Sequence, residues 1–358
     1  MTTDEKYMSR CIQLARNGFY GAAPNPMVGA VIVHDGKIIG EGYHVRCGGP
    51  HAEVNAVRSV RNPELLKEST IYVSLEPCSH YGKTPPCADL IVEKGIPRVV
   101  VGCMDPFAKV AGRGIRKLQE AGIEVTVGVL EAECLALNRR FITFHTHRRP
   151  YITLKWAESA DGFMDSLRTD YEKEKPYAFS TPYTRMLVHR CRAEHQAILV
   201  GRQTALADNP SLNLRMWPGK SPLRLVMDRR GDLPGHLALF NDGAETRVYL
   251  DVLSVLPPYG KQAGVTCVRL DFSRDILLQI LDDLYRLSVQ SLLVEGGHRL
   301  LESFISAGLW DEIRVEQSPV FLKEGVPSPS WPHGRIRTTE VEGHLLVHIL
   351  SSRGSSAV

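Results

Sequence analysis

The chain has 358 residues, of which 43% are hydrophobic and 23% are charged, so it can form two ordinary folded domains and we expect no large-scale disorder. Its formal net charge of +3 is too small to indicate a surface that coats nucleic acid or a membrane. The amino-terminal segment has no apolar core and no apolar run reaches membrane-spanning length, so we expect a cytoplasmic protein without a secretory signal.

Residues 1–146 alternate short β-branched runs with helical stretches, which predicts an α/β sandwich domain. We expect five strands, and Asp35-Gly36 predicts a two-residue hairpin between the first two. The predicted strands cover 28–33, 38–43, 71–75, 99–102 and 123–127, and the predicted helices cover 52–60, 88–94, 115–120 and 131–144.

The polar, basic segment 145–150 ends in Pro150 and predicts a domain boundary. Residues 150–350 are expected to form a second α/β domain of normal size, and 351–358 a loose tail. Its predicted strands cover 151–156, 197–201, 223–228, 247–250, 265–270, 291–295 and 312–316, and its predicted helices cover 182–192, 273–287 and 299–307.

The first domain contains a set of residues typical of a catalytic zinc site. His51 lies in Pro50-His51-Ala52-Glu53, and Cys78 follows a predicted strand in Glu76-Pro77-Cys78. Eight residues, 79–86, separate Cys78 from Cys87. One imidazole nitrogen and two thiolates suit Zn²⁺, and three protein ligands leave the fourth tetrahedral position to water. Zinc makes such a water acidic enough to attack an electron-poor ring carbon that carries an amino group.

Glu53 stands two residues after His51, at the start of a predicted helix, where it can reach the water without binding the metal. A carboxylate there can accept the water proton and deliver it to the leaving amine. The order His-x-Glu followed by Pro-Cys is the signature of zinc deaminases, although the second spacing here is longer than Cys-x-x-Cys. The alternative is a structural zinc site, which would normally have four ligands.

Several short motifs accompany the metal-binding residues. They are Pro24-Asn25-Pro26, Gly42-Tyr43-His44, His51-Ala52-Glu53, Glu76-Pro77-Cys78-Ser79-His80, Lys83-Thr84-Pro85-Pro86-Cys87 and Val110-Ala111-Gly112-Arg113-Gly114. Taken together, these motifs resemble the bifunctional deaminase/reductase family of riboflavin biosynthesis, and the resemblance covers nearly the whole chain. The long loop between the cysteines is that family's own variant.

The resemblance implies a cytidine-deaminase-like three-layer domain followed by a dihydrofolate-reductase-like α/β domain. It implies zinc-dependent deamination of 2,5-diamino-6-(5-phosphoribosylamino)pyrimidin-4-one, followed by NADPH-dependent reduction of the ribosyl group to ribityl. It also implies association into a dimer or a tetramer. The expected ligands are therefore Zn²⁺, NADPH and a small phosphoribosylated pyrimidine, with no nucleic-acid or membrane partner.

Five residues are expected to bind substrate in the deaminase site. His80 and Lys83 lie between the metal ligands and can offer cationic donors to the sugar phosphate. The resemblance implies that Asn25, His44 and Asp105 line the same pocket. The family often carries asparagine where this chain has Phe107, so a ribose contact is changed there.

In the second domain, Lys155 ends a strand where it can face a ligand, and the resemblance implies a catalytic role for it. The segment 204–215 is predicted to be a loop over cofactor and substrate. The resemblance implies that Arg192, Leu212, Arg215 and Glu295 bind substrate. It implies that Glu158, Thr204, Asp208, Arg229 and Gly297 bind the nicotinamide cofactor.

Two of these positions also have a meaning from the residues alone. Glu295-Gly296-Gly297-His298 lies between a predicted strand and a predicted helix, so its backbone amides can meet a cofactor phosphate, although a plain tight turn has the same signature. Arg229 follows another strand and can grip the 2′-phosphate of NADPH, although an exposed arginine commonly has no ligand.

The second domain departs from its family at several positions. Pro176 and Ala178 stand where the family commonly has Ser-x-Trp, the nearby segment 169–175 is unusually charged, and Lys323 replaces a glycine. An alternative hypothesis is therefore a deaminase whose second domain binds without catalysing. A deaminase of nucleic-acid bases would need a basic, aromatic-rich face, which 7% aromatic residues do not indicate. A non-enzymatic zinc protein is the remaining alternative.

Overall fold

The computed structural model describes residues 1–79, 85–105, 112–171 and 173–352. The chain forms two compact units, Met1–Arg148 and Arg149–Val358, each a mixed α/β structure as the sequence predicts. Within the described residues, no helix is both long enough and apolar enough to cross a membrane.

The first unit is built on a five-stranded sheet. Its strands are β1 (Gly29–His34), β2 (Lys37–Tyr43), β3 (Thr70–Leu75), β4 (Arg98–Cys103) and β5 (Glu124–Val127). Their order is β2-β1-β3-β4-β5, with β1 antiparallel to both neighbours and β3, β4 and β5 parallel to one another. The carboxyl ends of β3 and β4 consequently lie at the same edge.

Helices cover both faces of this sheet. They are α1 (Thr3–Arg16), α2 (Ala52–Ser59), α3 (Cys87–Glu93), α4 (Arg113–Glu120), α5 (Glu131–Leu137) and α6 (Arg139–His147), with a 3-10 helix at Pro63–Glu68. Because strand side chains alternate, Val31 packs with Met8 of α1 while Ile32 packs with Ala56 of α2. The result is the predicted three-layer arrangement.

The predicted strands of this unit are all present, with ends shifted by about one residue at most places. Asp35 and Gly36 have φ values of 46° and 69°, as a type I′ hairpin requires. Helix α1 was not predicted, although Thr2 and Glu5 form a capping box at its start. The single helix predicted over 131–144 is wrong, because Asn138 separates α5 from α6.

The second unit contains a nine-stranded sheet and a two-stranded sheet. Its strands are β6 (Tyr151–Glu158), β7 (Phe163–Asp165), β8 (Ala197–Val200), β9 (Leu223–Met227), β10 (Thr246–Asp251), β11 (Val265–Leu270), β12 (Ser291–Glu295), β13 (Glu312–Gln317), β14 (Val326–Pro327), β15 (Arg335–Val341) and β16 (His344–Leu350). The large sheet has the order β11-β10-β9-β8-β12-β6-β13-β16-β15, and β7 pairs with β14.

The first seven strands in this order, from β11 through β13, are parallel to their neighbours. The last two, β16 and β15, add an antiparallel edge. The helices are α7 (Pro182–Ala193), α8 (Arg202–Asp208), α9 (Ile276–Arg286) and α10 (His298–Ser306), with 3-10 helices at Ala238–Phe240 and Pro258–Lys261. Parallel strands place the ends of β6 and β12 side by side, and ligands of such sheets bind beyond those ends.

One sequence-based prediction for this unit needs correction, and one hairpin was missed. The segment 204–215 is not a loop throughout, because 204–208 belongs to α8 and only the part from Asn209 onward is irregular. The hairpin β15–β16 was not predicted at all. Strand β15 is exposed along most of its length and therefore carries no alternation of apolar and polar residues.

Candidate functional sites

Three predicted metal ligands meet in the first unit. His51 precedes α2, Cys78 lies beyond the end of β3, and Cys87 begins α3. The Nδ1 atom of His51 lies 3.5 Å from the Cys78 sulfur and 3.4 Å from the Cys87 sulfur. All three ligand atoms are within 4.8 Å of one another.

These separations match a tetrahedral zinc centre. Zinc–sulfur and zinc–nitrogen bonds of about 2.3 and 2.0 Å at a tetrahedral angle place nitrogen and sulfur about 3.5 Å apart. Within the ranges that the structure describes, no fourth histidine, cysteine, aspartate or glutamate joins this group. The donors thus fit zinc with one coordination position open, and an open position is the mark of a catalytic site.

The main chain and neighbouring groups favour a thiolate at Cys78. The Cys87 thiol, His51 and the Cys87 N–H, 3.3 Å from the Cys78 sulfur, lower the pKa of Cys78 to about 4. A deprotonated thiol is the form that binds a metal.

Glu53 lies in the first turn of α2 and is only 3% exposed. Burial is the largest cause that raises its pKa to about 7, and the neighbouring Cys78 adds to the effect. A cation held by the three donors favours the carboxylate form. The predicted proton carrier therefore lies beside the predicted metal ligands, in a setting shielded from solvent.

His44 and Asn25 form one hydrogen-bonded pair on the edge of this centre. The Nδ1 atom of His44 lies 3.0 Å from the Pro50 carbonyl oxygen, which can only accept, so Nδ1 carries the proton. Its Nε2 is then free to accept from the Asn25 side-chain amide at 3.1 Å. Burial lowers the pKa of His44, which favours this neutral ring, and the ring stands edge-on to His51.

Asn138 was missed by the sequence analysis. Its buried side chain accepts from the Met27 N–H at 2.8 Å and donates to the Met27 carbonyl at 2.9 Å, 111 positions away in sequence. It thereby holds the segment that carries Asn25. No local pattern signals such a long-range amide pair.

Asp105 lies just beyond the end of β4, and its N–H donates to the carboxylate of Glu76 at 3.2 Å. His80 and Lys83, the expected phosphate contacts, lie outside the described residues, as does Phe107.

A second cluster of charges joins β6, β12 and α7 in the second unit. Glu295 pairs in register with Lys155, and Arg192 donates to one Glu295 oxygen from Nη2 at 2.6 Å and Nε at 3.0 Å. Burial alone would raise the pKa of Glu295, but the Arg192 and Lys155 cations outweigh it and hold that pKa below its ordinary value. The other Glu295 oxygen, Oε1, is buried without a hydrogen-bond partner among the described residues.

Lys155 is half-buried beside this pair, and no hydrogen bond or ion pair engages it within the described part of the chain. It also lines a cavity of about 280 Å³ together with Cys191 of α7 and Arg314 of β13. Glu295 and Lys155 therefore offer an unused acceptor and an unused donor close together.

Thr204 and Gly297 also meet. Gly296 and Gly297 have φ values of 81° and 78°, and Gly297 caps the start of α10. A Cβ atom at Gly297 would lie 2.8 Å from the Thr204 hydroxyl. The glycine pair thus leaves bare backbone facing α8, where two of the predicted cofactor residues come together.

Asp208 and Arg229 are engaged by protein partners. Arg168, which the sequence analysis did not single out, is 5% exposed and pairs with Asp208 at 2.6 Å and with Asp165. Arg229 is 65% exposed and reaches Asp251 at 3.2 Å. Arg229 thus keeps most of its surface available to a ligand.

The remaining predicted contacts have different surroundings. The buried Glu158 carboxylate accepts from Trp156 at 2.7 Å and from Gln317 at 3.1 Å, so its oxygens are already used inside the protein. Leu212 is 2% exposed as a whole residue and its side chain lies in an apolar core. Arg215 is exposed and contacts Asn213.

The positions that depart from the family pattern are at the surface. Pro176 and Ala178 are exposed and precede the buried Phe179. Lys323 has a φ of 69°, and its N–H donates to Asp161 at 2.7 Å. This left-handed conformation explains why glycine suits the position.

Comparison with known proteins matches both units. Residues 1–103 match the cytidine and deoxycytidylate deaminase zinc-binding region, and residues 150–340 match the RibD C-terminal domain. The riboflavin biosynthesis protein RibD of Aquifex aeolicus is 41% identical over 325 residues, covering 90% of this chain and 89% of that protein. The Escherichia coli protein of the same name is 37% identical, covering 89% and 88%.

Solved structures match nearly the whole chain. A diaminohydroxyphosphoribosylaminopyrimidine deaminase/5-amino-6-(5-phosphoribosylamino)uracil reductase from Thermotoga maritima superposes with a TM-score of 0.85 at 36% identity, covering 97% of this chain and 98% of that one. RibD of Acinetobacter baumannii gives a TM-score of 0.83 at 32% identity, with the same coverage. The chain therefore belongs to the RibD family of riboflavin biosynthesis proteins, which join a zinc-dependent deaminase to a reductase.

Proposed function

We propose that this chain catalyses two successive steps of riboflavin biosynthesis, with residues 1–146 performing the first and residues 150–350 the second. The first is hydrolytic deamination of 2,5-diamino-6-(5-phosphoribosylamino)pyrimidin-4-one. The second is reduction of the ribosyl group of the deaminated product to ribityl. Identity of 32–41% to RibD proteins over about nine-tenths of the chain supports both steps.

His51, Cys78 and Cys87 hold zinc in the first site. When bound, zinc supplies the Lewis acidity that makes a water molecule nucleophilic near neutral pH. Glu53 takes a proton from the attacking water and gives it to the ring amine, because ammonia leaves readily only after protonation. Its burial beside the donors supports this role, since a shielded carboxylate transfers protons without competition from bulk water.

Asn25, His44 and Asp105 orient the pyrimidine, with His80 and Lys83 assigned to the sugar phosphate. The tautomer of His44 supports this assignment. Because Nδ1–H donates to the Pro50 carbonyl, Nε2 accepts from the Asn25 NH₂ group, and the Asn25 side-chain oxygen is not used in this pair. An amide oxygen in this position can accept from a ring N–H or an amine.

Lys155 is the catalytic group of the second site, and Arg192, Leu212, Arg215 and Glu295 bind the substrate there. The unpartnered Glu295 oxygen and the neighbouring Lys155 amine support this assignment, because a sugar hydroxyl needs both an acceptor and a donor.

Glu158, Thr204, Asp208, Arg229 and Gly297 bind NADPH, which when bound supplies the hydride delivered to C1′ of the ribosyl group. Bare backbone at Gly297 beside Thr204 supports a phosphate or ribose contact at this point. Glu158 acts through Trp156, which already donates to its buried carboxylate, whereas the Asp208 carboxylate pairs with Arg168 through one oxygen and stays 33% exposed. We further propose that the enzyme works in the cytoplasm as a dimer or tetramer, which sedimentation velocity would test.

The alternative of a second domain that binds without catalysis is not favoured, since that domain matches the family over residues 150–340. The meeting of His51, Cys78, Cys87 and Glu53 carries the proposal most directly.

Its test is incubation of the purified zinc protein with the diaminopyrimidine nucleotide, with and without NADPH, while product masses are followed. The expected products are the deaminated nucleotide alone and, with NADPH, its ribityl derivative. Glu53→Gln should reduce ammonia release by roughly 10²-fold or more.

The control is Glu64→Gln, an exposed carboxylate of the same unit that should leave both steps unchanged. Supplying the deaminated nucleotide directly to Glu53→Gln should restore NADPH oxidation. Deamination that survives Glu53→Gln would refute the role of this residue, and accumulation of unreduced product with excess NADPH would refute the second step.

A further inference from the structure

Glu76 is a buried carboxylate that the two proposed reactions do not use. It follows β3, is 7% exposed, and has no lysine, arginine or histidine ion-pair partner among the described residues. Its carboxylate instead accepts hydrogen bonds from the main chain. The N–H groups of Asp105 and Gly112 donate to Oε2 at 3.2 and 2.9 Å, and that of Gly114 donates to Oε1 at 2.9 Å.

These three donors come from two different parts of the chain. Asp105 follows β4, whereas Gly112 and Gly114 form the start of α4. The Glu76 N–H itself donates to the Cys103 carbonyl at 3.0 Å. One side chain therefore fixes the exit of β4 and the entry of α4 against the residue that leads into the zinc ligands. Each such charge-assisted hydrogen bond is stronger than a neutral one.

The backbone between Glu76 and the ligand Cys78 is held equally closely. A Cβ atom at Gly114 would lie 2.0 Å from the Pro77 carbonyl oxygen, so only glycine permits this approach of α4. Proline at position 77 also fixes one backbone angle between Glu76 and Cys78. A displacement of α4 or of Asp105 is thus transmitted to Cys78, and the reverse.

We infer that Glu76 is a positioning residue of the deaminase, which sets Asp105 at a fixed place relative to the ligand Cys78 and thereby orients the pyrimidine. The inference rests on the proposed function of the first unit. Glu76 does not touch the reacting atoms. Its effect is exerted through the main chain of Asp105, and small displacements of an orienting group cost a reaction far more than they cost stability.

The test compares Glu76→Gln with Leu118→Ala in the full-length zinc protein. Glutamine keeps the shape of the side chain but replaces one acceptor oxygen by an NH₂ donor, which must then face either the Asp105 and Gly112 N–H groups or that of Gly114. Leu118 is fully buried in α4 within an apolar cluster and its side chain has no hydrogen-bonding atom, so its truncation destabilises the same helix by another route. Zinc content, Tm, and KM and kcat for deamination are measured, with NADPH oxidation on the deaminated nucleotide as a check of the second unit.

Glu76→Gln should keep one zinc per chain and its reductase rate, and raise the deamination KM about tenfold or more with a smaller change in kcat. Leu118→Ala should lower Tm at least as far while KM stays within about twofold. Because Glu76 acts through Asp105, its effect on KM should largely vanish in an Asp105→Asn background. Should Glu76→Gln not fold, Gly114→Ala, which pushes α4 from Pro77, should show the same rise in KM.

The inference would be overturned if Glu76→Gln and Leu118→Ala had equal effects on KM, or if the effects of Glu76→Gln and Asp105→Asn were additive. Glu76 would then only stabilise the start of α4. Loss of zinc in Glu76→Gln would also overturn the inference. A wild-type protein that releases no ammonia from the nucleotide would instead refute the proposed function itself, so the two failures are told apart.

Discussion

The charge balance at Glu295 illustrates how single residues of the reductase site depend on one another. Arg192 and Glu295 have side chains that are 14% and 10% exposed, and their closest atoms are 2.6 Å apart. Removing one partner of a buried pair leaves an uncompensated charge, whereas removing both charges together is much better tolerated. Changing both residues together should therefore restore stability without restoring activity.

Arg192→Met should lower the free energy of unfolding of the second unit by about 3 kcal/mol, and the double change with Glu295→Gln should recover most of that loss. Reductase activity should remain low in both variants, because the substrate contacts are lost. Urea unfolding followed by tryptophan fluorescence measures this selectively, since all four tryptophans lie beyond residue 149. A double variant no more stable than Arg192→Met would contradict the explanation.

At the scale of elements, the start of α10 depends on Gly297, and Gly243, elsewhere in the same unit, provides a comparison. Gly297 combines positive φ with a close approach to Thr204 of α8. Gly243 has a φ of 71° but open space around a Cβ atom, so it carries the same backbone constraint without the contact. The two positions separate the effect of strain from the effect of filled space.

Gly297→Ala should raise the KM for NADPH about tenfold, because the methyl group must displace Thr204 at the proposed cofactor contact. Gly243→Ala should lower stability by roughly 1–2 kcal/mol, the cost of a left-handed alanine, without changing that KM. Steady-state kinetics with the deaminated nucleotide measures both variants. Equal KM values for the two would remove Gly297 from the cofactor site.

Helix α1 is tied to the sheet of the first unit by Asp4. Arg98 of β4 donates to its carboxylate at 2.8 and 3.2 Å, and Tyr72 of β3 donates at 2.8 Å. The hydrogen bond from Arg98 is the largest cause that lowers the pKa of Asp4 below its ordinary value of 3.8. Because the folded state holds this carboxylate ionised, the pair stabilises the fold above that ordinary value and loses its contribution as pH falls through the lowered one.

Asp4→Asn should therefore lower the stability of the first unit by about 1 kcal/mol near neutral pH, and the difference from wild type should shrink as the pH falls below about 4. Glu93→Gln, at an exposed carboxylate of the same unit, should show little difference at any pH. Hydrogen exchange of first-unit peptides in increasing urea measures this difference in stability between the variant and wild type. A gap that widens with acid would contradict the assigned sign.

At the scale of the whole chain, each unit has its own apolar cores and its own proposed ligand. A ligand that binds only folded protein adds about 2.7 kcal/mol to stability at a hundred times its Kd. Zinc should consequently slow hydrogen exchange within residues 1–148, and NADPH within 149–352. Removing zinc with a chelator should reverse only the first effect. Protection of the opposite unit by either ligand would contradict the assignment of sites.

The sequence determined the strands of the first sheet and most of the second, because buried strands have continuous or alternating apolar residues. It also singled out His51, Cys78, Cys87 and Glu53 as candidates for a zinc site, since those residue types at that spacing have few other uses, and the structure brings them together. It did not reveal α1, the break at Asn138, helix α8 or the β15–β16 hairpin. These elements depend on distant partners rather than on a local pattern.

Only the tertiary structure decided how those chemical groups are held. The carboxylate of Glu76 meets amides 29 to 38 positions away, Asn138 reaches Met27, and Arg168 takes Asp208. It also showed that Glu158 and Leu212 are buried while Glu295 keeps an unused oxygen. A sequence records which donors and acceptors exist, but which of them meet follows from the packing of strands and helices. The candidate metal ligands could therefore be predicted from the sequence, whereas the groups that hold the neighbouring segments in place could not.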